Sequence, residues 1–160
     1  MGTFVIVHGA WGGGWEWSAV ARQLRRRDHE VFTPTLTGLG ERAHLASGVP
    51  VTLSTHVDDI VGVLKFEDLH DVVLCAASSG GIPATGACDR VPERIRLLVY
   101  IDALVARSGQ CGLDLLPDWF GNEVRRGINE HGDAWRVPIP PDLATALIPD
   151  GSLPDPVHPP

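Results

Sequence analysis

Lysine is almost missing from this chain. Lys65 is its single example, and arginine supplies the rest of the 13 basic side chains, against 20 acidic ones. The resulting formal charge of −7 argues against a nucleic-acid partner, whose phosphates call for a basic patch. The run Arg25-Arg26-Arg27 reads as the solvated end of a helix. Cysteine is scarce too. Cys75, Cys88 and Cys111 are odd in number and lack paired spacing, which excludes a disulfide framework and a zinc site as first readings. Cys75 sits in an apolar run and reads as a small hydrophobe. No apolar run approaches membrane-spanning length, and Met1 leads into an apolar strand without the pattern of a signal peptide. The expected compartment is the cytoplasm, with no membrane partner. The loop Gly12-Gly13-Gly14 lacks a phosphate-binding lysine, so neither cofactor nor metal is expected. What is present suits one soluble domain of 160 residues, 44% hydrophobic and 21% charged.

Strand and helix signals alternate along the first two thirds. Thr3-Phe4-Val5-Ile6-Val7 is a short β-branched apolar run, and a glycine-rich loop follows it. Residues 15–27 read as a helix with Trp17, Val20, Ala21 and Leu24 on one face. His29 to Thr33 reads as a strand stopped by Pro34. Thr52 or Ser54 caps a helix to about Leu64, with Leu53, Val57, Ile60, Val61 and Leu64 as its apolar stripe. Val72-Val73-Leu74-Cys75-Ala76-Ala77 is a buried strand. It runs into Ser78-Ser79-Gly80-Gly81 and a helix to about Asp89, with Pro83 in the first turn. Ile95 to Ile101 is a fourth strand, ending at Asp102. This alternation implies a parallel sheet with helices on both faces, an α/β fold. After about Ser108 the pattern fails. Residues 137–160 hold most of the 13 prolines and show no period.

A strand, a small-residue turn carrying a serine and a helix form the layout of a nucleophile elbow, here Ala76-Ala77-Ser78-Ser79-Gly80 in place of G-x-S-x-G. Four segments together resemble α/β-hydrolases of the small plant-esterase and hydroxynitrile-lyase type and their bacterial esterase relatives. They are the run from Phe4-Val5-Ile6-Val7-His8-Gly9-Ala10-Trp11 to Trp15, the run from Thr35 to Arg42, the elbow, and Val91-Pro92-Glu93-Arg94-Ile95 through Tyr100-Ile101-Asp102-Ala103. The resemblance implies Ser78 as nucleophile, with the N–H groups of Ala10 and Ser79 as oxyanion donors. It implies small esters or related acyl compounds as substrates. Trp11 and His8 adjoin the pocket, and packing is the competing role for each. Asp102 is a candidate acid, its alternative being a turn cap or a polar residue at the pocket mouth. The implied division is a core over 1–106, a partial cap over 107–141 that includes Gly132-Asp133-Ala134-Trp135-Arg136-Val137-Pro138, and a poorly ordered tail over 142–160.

The departures from that pattern are Ala76 for glycine, Ala77 where histidine is common, and no visible last strands carrying the base. The expectation is a C-terminally shortened hydrolase. His29, His44, His56 and His70 read as remote from the elbow, while His131 and His158 remain base candidates whose alternatives are a cap-segment and a tail residue. With later strands gone, the 95–101 strand becomes an apolar edge, and self-association through it is expected. Three functions compete: a serine hydrolase, a non-catalytic binding module or fragment on the same scaffold, and a lyase or polyketide-modifying enzyme. The third is disfavoured because a lyase needs a cation near the serine and Lys65 lies outside the motifs.

Overall fold

The computed structural model describes residues 1–46, 50–131 and 137–139. The chain divides into two compact units, Met1–Gly109 and Gln110–Pro160.

The first unit is a four-stranded parallel sheet in the order β2-β1-β3-β4. The strands are β1 (Thr3–Val7), β2 (Glu30–Phe32), β3 (Val72–Ala77) and β4 (Ile95–Ile101). Between them run α1 (Ser18–Arg25), α2 (Leu53–Phe66) and α3 (Gly81–Arg90). Strand side chains alternate between faces, so β1 and β3 each feed two cores. Val5, Val7, Val72, Leu74 and Ala76 meet Val57, Ile60, Val61 and Leu64 of α2 and Ala84 and Ala87 of α3. Ile6, Val73 and Cys75 face the other way, with Val31, Ala21, Trp17 and Leu24. That double burial is why both strands read as unbroken apolar runs.

The helices start and stop for local reasons. Thr52 is the cap of α2: its hydroxyl accepts from the Thr55 N–H at 3.3 Å, and the Thr55 hydroxyl accepts from the Thr52 N–H at 3.2 Å. Arg94 closes the other end of α2, donating to the carbonyls of Leu64 at 3.0 Å and Leu69 at 2.9 Å. This interaction gives the Val91–Ile95 motif a structural role.

Several sequence expectations need correction. The helix expected from Trp15 opens as a 3₁₀ turn over Gly14–Trp17, and Val20 and Leu53 are exposed rather than part of their stripes. The segment after Ser108, read as patternless, holds a 3₁₀ turn (Gly112–Leu115) and a 14-residue helix, α4 (Asp118–His131). Its inward stripe is narrow, Phe120, Val124 and Ile128. Gly121, Gly127 and the charged outer face conceal it, while Arg126 pairs with Glu123 at 2.6 Å and Glu130 at 3.3 Å. Gly132–Arg136, His158 and the tail expected over 142–160 lie outside the described residues, as does the side chain of His131.

Candidate active site

Parallel α/β sheets bind ligands beyond the carboxyl ends of their strands, and the sequence-picked residues collect there. Ala10 and Trp11 follow β1, Ser78 follows β3 and Asp102 follows β4. Ala77 pairs with Ile101, so Ser78 and Asp102 leave the sheet side by side. Trp11, Ser78 and Asp102 all have left-handed backbones, with φ of 63°, 48° and 44°. Among the described residues the other non-glycine positions in that region are Asp28, Asp68 and Asp71, and aspartate tolerates it in turns. A tryptophan and a serine there carry strain of about 1–3 kcal/mol each, which the surrounding structure must hold in place.

What holds the serine is close backbone approach. A Cβ on Gly80 would lie 2.4 Å from the His8 carbonyl oxygen, and one on Gly81 would lie 2.4 Å from that of Leu104. A Cβ on Gly9 would lie 2.9 Å from the Ser78 Cβ, so the loop after β1 rests directly against the serine. The Leu104 N–H donates to the Ser78 carbonyl at 2.8 Å, tying the loop after β4 to the same turn. Ser79 lies in the 3₁₀ turn (Ser78–Gly80) that opens α3, where the first N–H groups of a helix have no partner within it. Ala76, the substitution for the usual glycine, is fully buried and its methyl packs in the α2–α3 core.

The loop after β2 is anchored by a residue that sequence reading missed. Asp59 of α2 accepts from the Thr37 N–H at 2.7 Å and the Thr37 hydroxyl at 2.8 Å, and pairs with Arg42 at 3.1 Å. Arg42 donates to the Thr35 carbonyl at 2.7 Å, and the Thr35 hydroxyl accepts from the Gly14 N–H at 2.8 Å. His56 donates through Nε2 to the Thr37 carbonyl at 2.9 Å. The matched run Thr35–Arg42 is therefore a brace that joins the loops after β1 and β2. The available signal was a carboxylate set between Val57 and Ile60 of the apolar stripe.

The histidines separate clearly. His8 is fully buried, and burial pushes its pKa below the ordinary value of 6.5. Both its ring nitrogens meet backbone: Nδ1 lies 2.7 Å from the Gly9 carbonyl oxygen, and Nε2 accepts from the Leu36 N–H at 3.0 Å. His70 sits before β3 beside Asp68 at 3.3 Å, and His29 packs edge-on against Phe4 before β2, so both lie at the opposite end of the sheet. Among the described residues no histidine hydrogen-bonds to Ser78. Asp102 is exposed. Lys65 lies in the last turn of α2, near the start of β3, whereas Ser78 lies past its end. Burial also raises the pKa of Cys75 and Cys88, which favours the protonated thiol at both. Among the described residues no cluster of His, Cys, Asp or Glu is arranged to hold a metal ion.

A parallel sheet with a strained serine at the strand-to-helix turn of β3 defines an α/β-hydrolase scaffold. The pattern of the alpha/beta hydrolase family matches residues 4–158, and the chain belongs to that family. It is 49% identical over 124 residues to a carbendazim hydrolyzing esterase of Nocardioides sp. (strain SG-4G), covering 78% of this chain and 51% of that protein. It is 33% identical over 106 residues to methylesterase 9 of Arabidopsis thaliana, covering 66% of this chain and 41% of that protein. Among solved structures, an extracellular α/β-hydrolase from a Paenibacillus species superposes with a TM-score of 0.76 at 30% identity, over 82% of this chain and 53% of that one. The chain thus spans about half the length of the curated relatives it matches.

Proposed function

We propose that this chain carries the nucleophile half of a serine esterase acting on small carboxylic esters. The observation that carries the reading is Ser78 in a left-handed turn, with Gly9 packed against its Cβ and helix α3 opening behind it. In this reading the Ser78 oxygen adds to the ester carbonyl, its proton passes to a base outside the described residues, and the N–H groups of Ala10 and Ser79 hold the developing oxyanion. The alcohol leaves with that proton as the acyl–Ser78 ester forms, to be hydrolysed by water. Trp11 walls the acyl side, and Asp102 is the acid candidate beside the serine. The esterase names of the relatives support the substrate class. Three cysteines free of disulfides support a reducing, cytoplasmic setting, and among the described residues no helix is long and apolar enough to cross a membrane.

The test is hydrolysis of methyl esters and of carbendazim by the purified chain and by Ser78→Ala. The expected result is turnover that drops at least roughly 1,000-fold on substitution. Equal turnover by the two proteins, or binding without turnover in either, would replace this reading with that of a binding module.

The same reading takes β4 as a contact with a second copy of the chain. Among the described strands it lies at the sheet's edge. It exposes Leu97, Tyr100 and Ile101 and carries none of the lysines or prolines that protect natural edges. A mass by light scattering that stays monomeric at every concentration would remove this part.

A further inference from the structure

His8 is fully buried and is not a base in the arrangement described above, yet both of its ring nitrogens are committed. An imidazole nitrogen that meets a carbonyl oxygen must carry the hydrogen, and one that meets an N–H must carry the lone pair. The Gly9 carbonyl at Nδ1 and the Leu36 N–H at Nε2 therefore fix one species, the neutral ring protonated on Nδ1.

The bond to Gly9 has a consequence one atom further along. The Gly9 carbonyl and the Ala10 N–H belong to the same peptide plane, no peptide bond in the described chain is cis, and in a trans peptide the two groups point in opposite directions. The sheet order sets those directions. Leu36 lies in the loop after β2, on one side of β1, and Ser78 follows β3 on the other side. A carbonyl drawn toward the ring that also holds Leu36 leaves the Ala10 N–H facing the β3 side, where Gly9 already touches Ser78.

We infer that His8 is the positioning residue of the oxyanion site: its Nδ1–H holds the Gly9–Ala10 peptide in the one orientation that aims the Ala10 N–H at the space above Ser78. This inference rests on the proposed roles of Ser78 and Ala10. It assigns His8 a task distinct from packing and from the triad base. It also makes the site sensitive to acid, because a proton on Nε2 would face the Leu36 N–H and remove the bond that anchors the far side of the ring. The titratable groups that act on the ring are His56 and Asp59 of α2 and Glu41 of the loop after β2. The Gly9 carbonyl and the two carboxylates favour the charged ring and His56 disfavours it, but burial outweighs the groups that favour it.

Two measurements test it. Nitrogen-15 NMR of the wild-type ring needs no chemistry at Ser78. The expected result is a neutral Nδ1–H tautomer at pH 7 that persists below pH 6.5, and an Nε2–H tautomer or a charged ring at pH 7 would overturn the inference. The second is the rate at which a fluorophosphonate labels Ser78 in the wild type, His8→Asn and His8→Leu, with folding checked by circular dichroism. Asparagine can place a donor near the Nδ1 position, and leucine cannot. Labelling should fall roughly 100-fold in a folded His8→Leu, the size of losing one oxyanion donor, and return to within about tenfold in His8→Asn. A folded His8→Leu labelled at the wild-type rate would overturn the inference. Absence of labelling in the wild type would count against the serine reading, and the tautomer would then decide the placement of His8 by itself.

Discussion

β3 and β4 run side by side, parallel and in register from Val73 with Leu97 to Ala77 with Ile101, and both are mainly apolar, with Arg96 of β4 the one charged residue in the two strands. Their surroundings differ completely. β3 is buried over Val72–Ala76, with β1 on one side, β4 on the other and helices over both faces, whereas β4 leaves Leu97 at 52% exposure and Ile101 at 40%. Both are mainly apolar, so position in the sheet order, more than polarity, decides how far each strand is buried. The strained serine grows from the strand that is fixed on all sides, which is where a turn costing strain can be held. Asp102 grows from the exposed strand and is itself exposed.

Substitutions in the two strands should have unequal effects. The largest effect is expected from Leu74→Ala, which empties a fully buried position and should cost about 2–5 kcal/mol in denaturant unfolding. A loss as small as that from an edge substitution would mean that β3 is not the structural centre. Acid should also act through the central region. The folded-state pKa of His8 is depressed, so the unfolded chain takes up a proton first as pH falls below 6.5. The stability held by the neutral ring is present above that value and is lost as pH falls from there through the folded pKa. In a folded His8→Leu, urea midpoints measured across this range should lose that component of the slope.

Smaller effects should separate function from stability. Ser78→Gly removes the penalty of a left-handed serine and should stabilise the chain by about 1 kcal/mol while abolishing any reaction at this position. A destabilised Ser78→Gly would mean that the turn is not strained. Gly62 lies within α2 with nothing within 4 Å of its added Cβ, so Gly62→Ala should stabilise by about 0.5–1 kcal/mol on thermal melting. Leu97→Ala on β4 should change stability least, by about 0.5 kcal/mol or less, and should lower any concentration-dependent mass.

Much of this arrangement was legible because the unbroken apolar runs of β1 and β3 come from burial on two faces. The cap of α2 was legible only as Thr52 or Ser54, and the bond from the Thr55 N–H settles it on Thr52. The elbow was visible through its small residues, and Gly80 and Gly81 turn out to be small because backbone oxygens lie 2.4 Å from where a Cβ would sit. The brace at Asp59 was not legible, because its partners Thr37 and Arg42 are distant in sequence and only folding brings them together. The bonds of His8 were hidden for the same reason. A histidine after a strand reads as packed, but which nitrogen carries the hydrogen depends on Leu36, 28 residues away. Helix α4 was missed because its three-residue stripe is interrupted by glycines, and glycine weakens helix propensity without preventing a helix held by packing.

The most direct test of the central claim is to react the purified chain with a fluorophosphonate and locate the adduct by mass spectrometry. The expected result is a single stoichiometric adduct on Ser78, lost in Ser78→Ala. An intact, folded chain that takes up no label, or takes it up at another residue, would contradict it.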